Sequence, residues 1–324
     1  MEYIADRIDY FILFPVLLGL INLYFRLADK YNIIDKPNER SSHTEVTIRG
    51  GGIIFFLSVL LYAFYTQQLP WFVTAISILS VISFIDDIIS LSSKLRLIFQ
   101  FTAMALLFYQ VHLFDYSWWI ILLTFIISVG VVNAYNFMDG INGITALNSL
   151  VVLFSIFLVN EIIEAVDSRM VLYIIIAVVV FSIYNVRTRA KCFAGDIGSV
   201  SMAFILLYLL ITLILAQNSI VYVLFLAVYG VDSLLTVVHR VFLKENILKP
   251  HRRHLYQYLV HTAGMKHLNV SFLYAIIQLA VSLLVIWNVK FQKMNEWYLL
   301  VGVIFILVLL YVLIKHKVMS KSRS

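Results

Sequence analysis

The chain has 324 residues, of which 62% are apolar and only 13% charged, about half the charged share of a soluble domain. This excludes a soluble enzyme and points to a protein that crosses a membrane many times. The net charge is +6, from 24 Lys and Arg against 18 Asp and Glu, and the single cysteine, Cys192, excludes an intramolecular disulfide and reads as a passive small residue.

Apolar runs near the length needed to cross a bilayer fall at residues 10–27, 50–66, 70–85, 97–114, 117–135, 144–160, 170–185, 198–216, 219–239, 269–288 and 297–315. The expected fold is therefore all-α, one polytopic domain over residues 1–324 with about eleven transmembrane helices. Residues 1–10 are acidic and no small-residue cleavage site follows the first run, so that run is expected to stay as a span and not to be a signal peptide. With the loop before Arg49 inside, the connections at about 28–49, 86–96, 136–143, 186–197 and 240–268, together with Arg26 just before the first of them and the tail from Lys315, hold 20 of the 24 basic residues. The positive-inside rule then predicts an external N-terminus and a cytoplasmic C-terminus. There is no internal repeat and no low-complexity segment.

In chain order, the first loop sets Lys36, Arg40, His43 and Arg49 before Gly50-Gly51-Gly52. Consecutive glycines let backbone approach either an anion or a neighbouring helix, and both readings stand. It is not a nucleotide P-loop, since the Gly-x4-Gly-Lys-[Ser/Thr] pattern is absent from the sequence. Asp86 and Asp87 end the third run, about 100° apart on a helix, where adjacent carboxylates suit proton transfer or divalent-cation binding, or form a plain acidic helix end. Lys94 and Arg96 follow, placed for phosphate oxygens.

The fifth run ends in Asn133-Ala-Tyr-Asn136-Phe-Met-Asp139-Gly-Ile-Asn142-Gly-Ile144, a polar stretch in an apolar setting. A carboxylate at the membrane is costly unless it has a task. Further on, Asp196 sits between Gly195 and Gly198 after Phe193, a weak pattern that suits a divalent-metal ligand. Asp232 lies inside the ninth run, functional or buried against a partner that the sequence does not name. The longest loop carries Lys249 and then His251-Arg252-Arg253-His254-Leu255-Tyr256-Gln257, either a phosphoryl grip or a basic patch on anionic lipid. The histidines lack the His-Glu-x-x-His spacing of a catalytic zinc site.

Taken in order, Arg49 to Gly52, Asp86-Asp87, Asn133 to Gly143, Phe193-Ala-Gly-Asp196-Ile-Gly-Ser199 and His251-Arg-Arg-His254 resemble the polyprenyl-phosphate N-acetylhexosamine-1-phosphate transferases. The likeness runs from about residue 10 to 260, with the last two spans fitting by count alone. It implies transfer of a sugar 1-phosphate from a UDP-N-acetylhexosamine to undecaprenyl phosphate in the bacterial inner membrane, with release of UMP and use of Mg²⁺, or Mn²⁺ in its place. On that resemblance Asp196 and Asn136 serve the metal and Asp86 and Asp87 the lipid phosphate. Asp139, Asn142, Phe193 and Arg49 serve the nucleotide and sugar, and Lys94, Arg96, His251, Arg252, Arg253 and His254 the phosphates. Asn142 stands where many bacterial members have Asp, and Val46 and Ile48 replace common prolines.

Phosphoryl transfer between anions needs a cation clamp and in-line positioning. A phosphate monoester with a second pKa near about 6 is already mostly dianionic at neutral pH, so direct attack by the lipid phosphate is favoured and a phospho-aspartate route stays open. The rival classes are an intramembrane prenyltransferase, expected to show two Asp-rich motifs of the Asn-x3-Asp-x3-Asp type, a pattern that Asp86-Asp87-Ile-Ile-Ser-Leu-Ser-Ser does not continue, and a transporter, which would place ionisable residues near mid-bilayer. The His251-Arg-Arg-His-Leu-Tyr-Gln form is similar to initiators of O-antigen or capsule, which implies a small donor such as GlcNAc, FucNAc or QuiNAc. Homodimers occur in the family, and no nucleic-acid partner is expected.

Overall fold

The computed structural model describes residues 2–35, 46–246 and 251–321, with side chains for 9–320 within those ranges. Lys36, Arg40, His43 and Lys249 lie outside the described residues. The helices are α1 (Glu2–Tyr31), α2 (Ile53–Thr66), α3 (Pro70–Ile88), α4 (Ser93–Gln110), α5 (Trp118–Met138), α6 (Ile144–Ile163), α7 (Ser168–Asn185), α8 (Gly195–Gln217), α9 (Ala227–Phe242), the short α10 (Leu255–Gln257), α11 (His267–Phe291) and α12 (Glu296–Lys321).

Every apolar run of the sequence lies in a helical segment, and the described residues include nine helical segments long and apolar enough to cross a membrane. The protein is therefore a polytopic, all-helical membrane protein. Three runs differ from the rest. Helix α2 has 14 residues, about 21 Å at 1.5 Å per residue, short of a hydrocarbon core of about 30 Å. Helix α4 starts at Ser93 and so carries Lys94 and Arg96 in its first turn. The ninth run is broken, with a 3₁₀ segment at Ile220–Leu226 leading into α9.

Helix α8 is the axis of the bundle, packed by α2, α3, α5 and α6, and 78% of its most apolar stretch is buried against 17% for α5 and 22% for α12. A helix apolar all round belongs at such a centre. Its first turns carry Gly198, Ser199, Ser201 and Ala203, small residues that let neighbours come close. Ser201 hydrogen-bonds Ser80 of α3 at 2.8 Å. At Gly52 a β-carbon would lie 2.3 Å from the Gly198 α-carbon, so α2 and α8 meet backbone to backbone.

The glycine run thus has a structural use. Gly51 and Gly52 donate N–H groups to the Phe193 and Ala194 carbonyls at 2.8 and 3.1 Å, and Phe193 donates to the Ile48 carbonyl at 2.8 Å. Strands β1 (Ile34–Asp35) and β2 (Thr47–Ile48) pair antiparallel beside this seam. Of the two readings of the glycines, tight packing is the one seen. Gly52→Ala is expected to destabilise the protein by about 2–4 kcal/mol, read as a fall in melting temperature in detergent, because neither backbone can move away without shifting a helix.

Candidate active site

The N-terminus of α8 presents unpaired backbone donors, as any helix start does. The Asp87 carboxylate satisfies two of them, accepting from Asp196 N–H at 2.9 Å and Ile197 N–H at 3.0 Å. Arg49 completes the arrangement, its Nε 2.6 Å from Asp87 Oδ1 and its Nη2 3.3 Å from Asp196 Oδ1. The Asp87 side chain is wholly buried, and both its oxygens are occupied. Its position is that of a carboxylate that ties α3, the glycine run and α8 together at one point.

Asp86 faces another way. It accepts from Leu91 N–H at 2.6 Å and from Arg96 Nη1 at 3.1 Å, and it shares a cavity with Asp196. These two acids and Asn136 line one small cavity at the end of the bundle, with Arg96, Gln100 and Asn133 alongside and Leu79, Ile82 and Val200 beneath. Asn136 Nδ2 donates to Asp196 Oδ1 at 3.0 Å and to Ser199 Oγ at 3.2 Å. The adjacent aspartates are therefore not equivalent, since the 100° between them sends one into the cavity and the other into the helix start.

Two carboxylates in one small cavity repel unless a cation or a shared proton lies between them. The two carboxylates offer oxygens, which suit a hard divalent cation, and Asn136 could offer a third only by turning its amide oxygen to the position now held by Nδ2. Among the described residues no three His, Cys, Asp or Glu side chains converge as a closed cage, and Mg²⁺ ordinarily takes only one or two carboxylates and completes its shell with water and substrate phosphate. Asp196 and Asp86, with the Asn136 amide so turned, thus fit Mg²⁺ by donor type and number.

The polar stretch continues past α5 as a turn. Asp139 accepts from Thr145 Oγ1 at 2.6 Å, and burial pushes its carboxyl up to about 6. Between about pH 4 and 6 the folded chain therefore holds a proton that the unfolded chain has lost, so stability falls as pH rises through that window. Asp139→Asn keeps an acceptor for Thr145 and removes the buried charge. It is expected to raise thermal stability at pH 7.5 by about 1–2 kcal/mol, with the gain vanishing near pH 4, in parallel melting curves of the two proteins.

Asn142 is buried and turned to the chain itself, donating to the Arg187 and Thr188 carbonyls at 2.9 and 3.1 Å. Its own carbonyl accepts from Ser271 of α11 at 2.8 Å. Asn185 supports the same turn, accepting from Gly143 N–H at 2.9 Å and donating to the Cys192 carbonyl at 2.9 Å. Asn142 is therefore not brought to the cavity that holds Asn136. Phe193 is half-buried with its backbone engaged in the glycine seam, and Lys94 is exposed and stands apart from the Asp86 cavity, which takes Arg96 alone of that pair.

The basic loop forms a second, open groove, lined by His251, Arg252 and Arg253 together with Arg240, Tyr258 and the acidic Glu245. Glu245 pairs with Arg253 and, at 3.2 Å, with Arg240. Burial, with His254 next to it, pushes the His251 ring down to about 4, so it is neutral at pH 7 and offers a phosphate a hydrogen bond and not a charge. His254 departs from its expected surface role. It is buried, with its ring stacked under His251 at 5.0 Å and its Nδ1 3.4 Å from Asp232 Oδ1. The groove and the turn are joined by Tyr256, whose hydroxyl donates to the Phe137 carbonyl at 3.0 Å and fills the space a side chain at Gly140 would need.

Sequence reasoning missed Ser199, Gln100, Arg240, Glu245 and Tyr256. Only Arg240 and Glu245 carried a usable signal, as charged residues at the end of an apolar run.

The molecule is an all-helical bundle with nine segments, among the described residues, long and apolar enough to cross a membrane, and with Asp86, Arg96, Asn136 and Asp196 brought together at helix ends. Residues 69–214 match the family described as glycosyl transferase family 4. The chain is 27% identical to "Probable undecaprenyl-phosphate N-acetylglucosaminyl 1-phosphate transferase" of Bacillus subtilis (75% of this chain, 73% of the relative). It is also 27% identical to the undecaprenyl-phosphate alpha-N-acetylglucosaminyl 1-phosphate transferase of Thermotoga maritima (73% and 76%) and 25% identical to the phospho-N-acetylmuramoyl-pentapeptide-transferase of a Wolbachia species (72% and 79%). Over residues 69–214 the chain is thus similar to glycosyl transferase family 4.

Proposed function

We propose that the chain transfers an N-acetylhexosamine 1-phosphate from a UDP-sugar to undecaprenyl phosphate, giving the lipid diphosphate sugar and UMP. The observation that carries this reading is the meeting of Asp86, Asp196 and Asn136 in one cavity beside Arg96, with a cationic groove close by. The relatives' names support the reaction class. The reading takes all eleven apolar runs as spans, with the N-terminus outside and this end of the bundle cytoplasmic, in a bacterial inner membrane. Its product would begin an envelope polysaccharide such as O-antigen or capsule, with GlcNAc or a 6-deoxy relative as the sugar.

In this scheme a lipid phosphate oxygen attacks the β-phosphorus of the donor, a new P–O bond forms, and the bond to the bridging oxygen breaks to release UMP. Asp86 and Arg96 orient the incoming phosphate, and Asp196 with Asn136 would hold Mg²⁺, which supplies charge neutralisation at the diphosphate. His251, Arg252 and Arg253 hold donor phosphate oxygens. The two carboxylates of the cavity, Asp86 and Asp196, stand at helix ends and not near the middle of the spans, which disfavours a transporter. The test is UMP release by the purified protein from UDP-GlcNAc, UDP-FucNAc and UDP-QuiNAc, with and without undecaprenyl phosphate and Mg²⁺. UMP that needs both additions is the expected result; no UMP with any donor overturns the proposal.

A further inference from the structure

Helix α12 presents most of its surface outward, yet one of its cations is turned in. A lysine near the end of a spanning helix ordinarily extends to water, whereas Lys315 is only 7% exposed. Its ammonium has three protons and three acceptors near it, the Tyr311 hydroxyl at 2.7 Å and the Arg253 carbonyl and His239 Nδ1 at 3.4 Å each. The Tyr311 hydroxyl is 3.1 Å from Thr236 Oγ1, which is 3.2 Å from Asp232 Oδ1.

An ammonium can only donate and a carboxylate can only accept. Thr236 has one proton and two acceptors, Asp232 Oδ1 and, at 3.4 Å, the Arg253 carbonyl; with that proton on the shorter contact, Lys315 donates to Tyr311, Tyr311 to Thr236 and Thr236 to Asp232. Asp232 in turn accepts from Leu255 N–H at 2.9 Å, Tyr256 N–H at 3.3 Å and the Tyr274 hydroxyl at 2.6 Å, while its Oδ1 faces His254. The ladder thus grips the backbone on both sides of His254, at the Arg253 carbonyl and at the next two amides. Those residues lead directly into the groove formed by His251, Arg252 and Arg253.

We infer that Asp232, Thr236, Tyr311 and Lys315 are positioning residues that set the register of the 251–256 segment, which makes α12 a working part of the donor-phosphate site. The kinetic arm rests on the transferase reading; hydrogen exchange does not. Lys315→Met is expected to raise the donor KM about tenfold, with kcat and the lipid KM within about twofold, because the loop would be displaced and the Asp86 cavity left intact. Lys315→Arg, which retains charge and donors, is expected to restore most of the loss. Tyr311→Phe combined with Lys315→Met should cost little more than either alone, since both break one chain.

Amide exchange at Leu255 and Tyr256, measured by mass spectrometry in detergent, is expected to quicken about tenfold in Lys315→Met and Asp232→Asn. An unchanged donor KM would overturn the inference. So would an equal loss in kcat and both KM values with a lowered melting temperature and no rescue by arginine, or unchanged exchange at the two amides. An inactive parent protein would sink the transferase reading alone, and exchange would then decide the positioning role.

Discussion

Asp86→Asn is expected to lower kcat by about a thousandfold or more while leaving the melting temperature nearly unchanged. The substitution keeps the shape of the side chain and an oxygen for Leu91 N–H, so the helix end survives. It removes the charge that shares the cavity with Asp196 and anchors Arg96. Charge at that point is what a clamp on reacting phosphates needs, and losses of one such group typically cost several kcal/mol of transition-state stabilisation. Donor binding measured by calorimetry should be nearly unaffected, since the basic groove lies on a different loop. A variant that kept a tenth of parental turnover would remove Asp86 from the chemistry.

Asp87→Asn is expected to behave oppositely, although the residue is next in sequence. Its carboxylate is wholly buried and holds Arg49 and the first amides of α8. An asparagine cannot serve as acceptor at both positions, and it leaves the guanidinium without its main counter-charge. Breaking such a buried pair costs about 3–5 kcal/mol, reduced here because the Arg49 side chain is a third exposed. The predicted result is a lower yield of folded protein and a melting temperature several degrees below the parent, with activity per folded molecule falling far less than in Asp86→Asn. A stable but inactive Asp87→Asn would contradict this division of the pair.

The sequence announced most of the spans because a membrane helix needs little beyond a long apolar run, and nine of the eleven runs lie in helical segments long and apolar enough to cross a membrane among the described residues. It also marked Asp86, Asn136 and Asp196, each a polar residue at the end of an apolar run. It could not separate Asp86 from Asp87, since that difference lies in which face of α3 meets the start of α8, a contact more than a hundred residues away. The same reason hid the partner of Asp232, which turned out to be the backbone beside His254. The glycine run was legible as a place of close approach, but not what approached, because the strand-like seam with Phe193 and Ala194 is made by backbone alone. The sequence also could not show the direction of Asn142, whose amide is taken up by the Arg187 and Thr188 carbonyls.

The reaction and the residues meet in one experiment, following the phosphate that travels with the sugar. A UDP-N-acetylhexosamine labelled with ³²P at the β-phosphate is incubated with undecaprenyl phosphate, Mg²⁺ and either the parent protein or Asp196→Asn, and the organic-extractable lipid is counted. Label in the lipid fraction with the parent, acid-released as sugar 1-phosphate, and none with Asp196→Asn is the predicted outcome. Label that stays with the nucleotide, appears as free phosphate, or reaches the lipid equally in both proteins would contradict it.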